Sequence, residues 1–221
     1  MSRVQLIGGV GPVICDCLGS DKNETMQVSH SFTMPAGAAA PGRALALVVR
    51  YNAFSAMTFS SVTIGGISAL PELARQQFST NERGVVFFLA RVDTAATSVT
   101  VAFTASVDVN LHVSIYRLEN LQSLTPFDTA GNEGAGVTSV SLNIDTEDEG
   151  ALLAGAYTVN PAVPGFTAGV TQDAVDTFSA VSGSIAGHTE TAAESGRTVT
   201  ATRVSGAAGT MNIALAAVSL R

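Results

Sequence analysis

Residues 99–118 constrain the fold most strongly, because their apolar side chains recur at every second position. One side of this stretch carries Val107, Val109, Leu111, Val113 and Ile115, and the other carries Asp108, Asn110, His112 and Ser114. Successive side chains leave a strand on opposite faces, so the pattern predicts a strand with one buried and one solvated face. Val99, Val101 and Phe103 repeat the alternation, and the short link at 104–106 predicts that the two halves form an antiparallel hairpin.

Similar alternating or apolar runs recur along the chain, at residues 25–32, 43–52, 58–64, 84–92, 137–144, 151–159 and 211–221. Turns rich in Gly and Pro separate them, and no stretch sustains the period of an amphipathic helix. Pro71 weakens a return strand at 67–73, the polar residues 72–83 allow at most a helical turn, and residues 119–133 read as a loop. Roughly a dozen strands at this spacing predict an all-β fold, an antiparallel, jelly-roll-like β-sandwich.

Charge and composition narrow the function classes. The chain has 221 residues and a net charge of −7, which argues against a nucleic-acid partner because phosphate binding needs a basic surface. Charged residues make up only 13% of the chain, about half the usual share for a soluble domain. Two explanations stay open, a surface of small polar side chains and a surface covered by other subunits.

The start of the chain carries no pattern of a secretory signal, and no apolar run is long enough to span a membrane as a helix. The sequence therefore predicts a product made in the host cytoplasm, without a membrane partner.

Residues 1–27 differ from the rest and are predicted to form an extended N-terminal arm before a β-sandwich domain at 28–221. The arm holds two short apolar runs separated by a segment rich in glycine. It could pair with the domain's own sheet, or it could reach a neighbouring subunit by strand addition. The second alternative makes its apolar residues candidates for an interface: Val4, Leu6, Ile7, Val13, Ile14, Cys15 and Leu18.

Residues of catalytic or ligand-binding type are few and scattered. Cys15 and Cys17 have no nearby partners that would complete a zinc site, so they are predicted to be buried free thiols. The histidines, His30, His112 and His188, are predicted to be solvated. No nucleophile motif and no pair of carboxylates stands out, so the sequence predicts a protein that is not an enzyme, with no catalytic residue, metal or cofactor.

The acidic run at residues 145–149 offers hard oxygen ligands for calcium. It lacks the ligand and glycine spacing of a known calcium loop, so a solvated hairpin tip is the favoured interpretation.

Several short motifs, taken in order, resemble a loose family of β-sandwich proteins encoded by tailed phages and prophages of α-proteobacteria. They are GRALALVV at 42–49, SVTIGG at 61–66, VTVAFTASV at 99–107, YRL at 116–118, EGALLAG at 149–155 and ALAAVSLR at 214–221. Each motif is a strand edge with a turn, and only their shared order makes the likeness specific. The resemblance covers about residues 28–221 and implies a virion surface protein, that is, a capsid decoration, fibre or tail component.

This resemblance predicts a virion structural protein, foremost a capsid decoration or cement protein that docks on the major capsid protein or other virion proteins and forms a homo-oligomer. The alternative is a receptor- or glycan-binding fibre or tail module. The chain has no Trp and only three Tyr, which disfavours sugar binding because such sites usually offer aromatic platforms.

Overall fold

The computed structural model describes residues 11–78, 81–159, 162–178, 182–206 and 211–221. Fifteen strands and no helix lie in these residues. They are β1 (Ile14–Pro35), β2 (Ala44–Ala53), β3 (Phe59–Ile64), β4 (Ile67–Ser68), β5 (Ala74–Phe78), β6 (Asn81–Arg91), β7 (Ser98–Glu119), β8 (Asp128–Val137), β9 (Ser139–Thr146), β10 (Gly150–Val159), β11 (Ala162–Ala168), β12 (Thr171–Phe178), β13 (Ser182–Thr191), β14 (Glu194–Gly206) and β15 (Met211–Leu220). The prediction of an all-β, antiparallel sandwich is confirmed.

The strands of the described chain form three sheets. The first is a curled half-barrel with the order β4-β3-β7-β2-β6-β5, and β1 pairs with β7. The middle sheet has the order β12-β13-β10-β15-β8, and the third has the order β11-β14-β9. One apolar core fills the curled sheet, a second lies between the curled and middle sheets, and a third lies between the middle and third sheets.

The central strand β7 corrects the predicted hairpin. Residues 98–119 form one strand of 22 residues, which pairs with β1 along both halves. Its first half also pairs with β3, and its second half pairs with β2. A two-stranded hairpin at 104–106 needs residues that accept a positive φ, and the Thr-Ala-Ser link supplies none. With partners along both halves, the link continues the strand.

The predicted solvated face of β7 is wrong for three of its four residues. Asp108 is exposed, but Asn110, His112 and Ser114 are buried. The middle sheet covers this side of the curled sheet, so both faces of β7 lie against a core along its second half.

The predicted boundary between the arm and the domain, at residues 27 and 28, falls inside strand β1. Strand β1 runs unbroken across position 27, and three register shifts between Cys17 and Ser29 absorb its irregularities. Val13 and Cys15 lie in the core between the first two sheets, whereas Leu18 packs against the core inside the curled sheet. Pairing with the domain's own sheet, the alternative left open above, describes this part of the arm.

The remaining interface candidates are placed differently. Ile14 is partly exposed, and Val4, Leu6 and Ile7 lie outside the described residues.

Three weaker predictions also change. The polar stretch that allowed a helical turn contains β5, and the loop expected up to residue 133 contains the start of β8. The predicted return strand at 67–73 shrinks to β4, which has two residues. Pairing with β6 and β15 supplies the backbone partners that outweigh the low strand propensity of Gln, Asp and Gly.

Candidate functional site

A buried polar cluster lies between the curled sheet and the middle sheet. Arg50 of β2 is fully buried, and its Nη2 donates to Oδ2 of Asp176 on β12 at 3.1 Å. Its Nη1 donates to Oγ of Ser114 on β7 at 2.6 Å, and Oγ of Ser184 on β13 lies 3.2 Å from Nδ1 of His112. The cluster therefore ties two strands of the curled sheet to two strands of the middle sheet.

This cluster contains serine, histidine and acid residues, but its geometry is that of a structural network. Ser184 and Asp176 both approach the same ring nitrogen of His112, whereas in a catalytic triad they contact opposite nitrogens. Burial, with the positive charges of Arg50 and Lys22, lowers the pKa of His112 to about 2. Such an imidazole is too weak a base for proton transfer near neutral pH, and the serine is fully buried.

His112→Gln is expected to reduce the loss of stability in acid. The unfolded state binds a proton at this histidine below about pH 6.5, whereas the folded state stays neutral down to about pH 2. The stability that neutral His112 contributes to the folded state is therefore present above pH 6.5. As the pH falls below that value, the free energy of unfolding decreases by roughly 1 kcal/mol for each pH unit. Urea unfolding of both proteins between pH 7.5 and 4.5 measures this difference. Parallel pH curves for the two proteins would show that His112 is protonated in the folded state.

A second polar group lies where β12 and β13 meet β7 and β1. Nδ1 of His188 lies 2.6 Å from Oδ2 of Asp173, and this hydrogen bond raises the pKa of His188. The His188 ring also packs edge-on against Tyr116, with 5.6 Å between the ring centroids. Burial raises the pKa of both Cys15 and Cys17, so the two free thiols stay protonated.

The three histidines that were predicted to be solvated differ in their exposure to solvent. His30 and His112 are buried, and the prediction is wrong for both. His30 lies against β7, where its Nε2 is 2.8 Å from the carbonyl oxygen of Val109. His188 is intermediate in exposure.

At the acidic turn, the carboxylates of Asp145 and Glu147 bond to protein groups. Oδ1 of Asp145 accepts hydrogen bonds from Ser195 and Gly196, and Glu147 pairs with Arg221 at 2.7 Å. Among the described residues, no cluster of three or more His, Cys, Asp or Glu side chains is arranged to hold a metal ion, and no helix is long and apolar enough to cross a membrane.

An accessible concave surface lies beside β4 and β5, the two end strands of the curled sheet. A first hollow of about 730 Å³ is lined by Met57, Thr58, Phe59, Leu70, Pro71, Glu72, Arg75 and Gln77. A second, of about 480 Å³, is lined by residues 67–73, 89–91 and 124–126. The hollows share residues 70–72, and together they are called the edge groove below.

The walls of the edge groove are apolar and partly open to solvent. Ile67 is 50% exposed, Leu70 is 37% exposed and Leu124 is 39% exposed. Exposed apolar side chains that cluster in this way are typical of interaction sites. Sequence reasoning missed this surface because its residues come from strands β3, β4, β5 and β6 and from loops that are far apart in the sequence.

The charged groups of the edge groove already bond to the protein. Nη2 of Arg75 lies 2.7 Å from Oε2 of Glu72, and its Nη1 donates to the carbonyl oxygen of Met57 at 3.0 Å. The Arg75 guanidinium also lies 5.3 Å from the ring centroid of Tyr51. Arg91 donates to the carbonyl oxygens of Gly42 and Leu121. The groove therefore suits apolar side chains better than a charged small molecule.

Comparison with known proteins returns no match: no protein-family model, no curated protein and no solved structure is significantly similar to this chain.

Proposed function

We propose that this chain is a non-enzymatic structural component of a phage-like particle, a capsid decoration or cement protein that docks on the major capsid protein or on other virion proteins. The ordered likeness of its motifs to virion surface proteins supports the biological setting. The apolar edge groove supports the mode of action, because its charges are internally paired and its walls offer area to another protein surface.

The placement of the reactive side chains favours binding over catalysis. Ser184 and His112 are fully buried, and the low pKa of His112 leaves it without a proton at neutral pH. A decoration protein acts mechanically, through weak contacts that are repeated by the symmetry of the particle and add up by multivalency. A body with three apolar cores suits such a role.

A receptor- or glycan-binding tail module is the second candidate. The larger hollow of the edge groove has the size of a small-ligand site and brings the polar ends of Glu72 and Gln77 to an apolar wall. A glycan array distinguishes this function from particle docking.

Density-gradient sedimentation of DNA-filled particles from the source culture tests the proposed function. We expect the protein to band with the particles at on the order of hundreds of copies each, counted by quantitative mass spectrometry, since a capsid lattice repeats its sites many times. A dozen copies or fewer would favour a fibre or spike. Absence from the particles would overturn the virion role.

A further inference from the structure

The edge groove has an open strand edge beside its apolar walls. Strand β4 is the last strand of the curled sheet, and within the described residues only one of its edges is paired, with β3. An extended segment can therefore add its backbone to β4 while its side chains enter the groove. This combination of free edge and apolar pocket selects an extended, alternating apolar peptide as the occupant.

Residues 1–10 of this chain have that chemistry. Val4 and Leu6 would project to the same side of an extended segment, and Ile7 follows them. The one charged residue of the segment is Arg3, and the side chain of Glu72 in the groove is 36% exposed. The segment lies outside the described residues and can span up to about 35 Å when extended.

The described chain begins at the end of the curled sheet that also carries one wall of the groove. Nδ2 of Asn120 donates to the carbonyl oxygen of Pro12 at 2.9 Å, so residue 12 is held where β7 ends. Asn120 also opens the loop that continues to Leu124 and Pro126 in the groove wall. The segment and its receptor are therefore presented at the same end of the molecule.

We infer that the edge groove receives residues 1–10 of a second copy of this chain. This inference rests on the proposed function, in which copies lie side by side on a particle. The loop at 120–127 bonds to Pro12 through Asn120 and reaches the groove wall at Leu124, and Arg91 and the carbonyl oxygen of Arg221 hold it in place. A segment that passes from each copy into the groove of the next makes a head-to-tail contact, which closes a ring or continues over a lattice.

Three variants and one peptide test the inference. A chain lacking residues 1–10 removes the segment without touching Val13 or Cys15, which belong to the core. Leu124→Asp and Ile67→Asp each place a charge in the groove at an exposed position. Val204→Asp is the matched control, since Val204 is 59% exposed and lies on β14, outside the groove lining. Circular dichroism confirms that each variant is folded.

Sedimentation velocity and peptide titration give the readouts. We expect the full chain and Val204→Asp to self-associate as concentration rises, and the truncated chain and both groove variants to stay monomeric. A synthetic peptide of residues 1–10 should bind the truncated chain, and Leu124→Asp in that chain should weaken binding at least about tenfold, because a buried leucine contact is replaced by a charge.

Two outcomes would overturn the inference. Failure of the peptide to bind the truncated chain would show that the groove has another occupant. Peptide binding to the truncated chain, with a full chain that stays monomeric and binds no peptide, would show that each copy fills its own groove.

Particle incorporation of the same variants separates this inference from the proposed function. Leu124→Asp on particles at the level of the unmodified chain would leave the virion role standing and the groove contact refuted. A chain that self-associates through the groove but is absent from particles would support the groove contact and overturn the virion role.

Discussion

Replacing Arg43 with methionine is expected to lower the free energy of unfolding by about 4 kcal/mol. The buried carbonyl groups that accept hydrogen bonds from the Arg43 guanidinium would then have no donor. Arg43 is fully buried and lies directly before β2. Its guanidinium donates to five carbonyl oxygens, those of Ala36, Gly37, Ala38, Val92 and Thr94, at 2.9 to 3.1 Å. Two loops at one end of the curled sheet are thus held by a single side chain.

Methionine keeps most of the apolar stem and removes only the hydrogen-bond donors. The decrease in the free energy of unfolding therefore measures what the hydrogen bonds contribute. Urea unfolding gives the free energies, and Arg221→Met is the control. Arg221 is about half exposed and pairs with Glu147 at the surface, where such a pair contributes at most about 1 kcal/mol. Equal losses for the two variants would mean that the five carbonyl groups find water when Arg43 is removed.

Gly155→Ala is the second change with a large expected effect, about 3 kcal/mol of lost stability, because it overpacks the contact between two sheets. Gly155 lies at the middle of β10, and a Cβ atom there would lie 2.7 Å from Cγ1 of both Val48 and Val85. All three residues lie where the middle sheet packs on the curled sheet, and both valines are fully buried. Neither valine can move aside without disturbing the same core.

A repacked background supplies the control. In a protein that already carries Val48→Ala and Val85→Ala, the added methyl group fills space instead of clashing, so Gly155→Ala should cost less than about 1 kcal/mol. Thermal and urea unfolding of the four proteins measure the coupling. A cost that is unchanged by the valine substitutions would show that Gly155 is needed for its backbone freedom and not for the close approach of the sheets.

Local sequence pattern was enough to predict the fold class and several strands. The apolar run at residues 43–52 predicted a strand, and β2 forms there and is buried along almost its whole length. A turn was expected within the acidic run at 145–149, and residues 147–149 do connect β9 to β10. The expected hairpin is wrong, because the two strands belong to different sheets. Alternation, β-branched residues and Gly-rich turns are properties of neighbouring residues, which is why they can be read without a structure.

The edge groove could not be predicted in this way. Its walls combine Ile67 and Leu70 with Leu89 and Leu124, which are far apart in sequence. Within its own stretch of sequence, each of these residues has the pattern of an ordinary edge-strand, core or loop residue. Only the curling of the sheet brings β4 and β5 to the same opening and makes these residues one surface.

The period of two in residues 99–118 determined that they form a strand with two distinct faces. It could not show that the strand is unbroken, because the link at 104–106 takes its conformation from strands β1, β2 and β3 that pair beside it. Nor could it show that His112 and Ser114 are buried. A polar face is solvated unless another layer covers it and its polar groups find hydrogen-bond partners. Here the middle sheet covers this face, Ser184 of that sheet bonds to His112, and Arg50 of the curled sheet donates to Ser114.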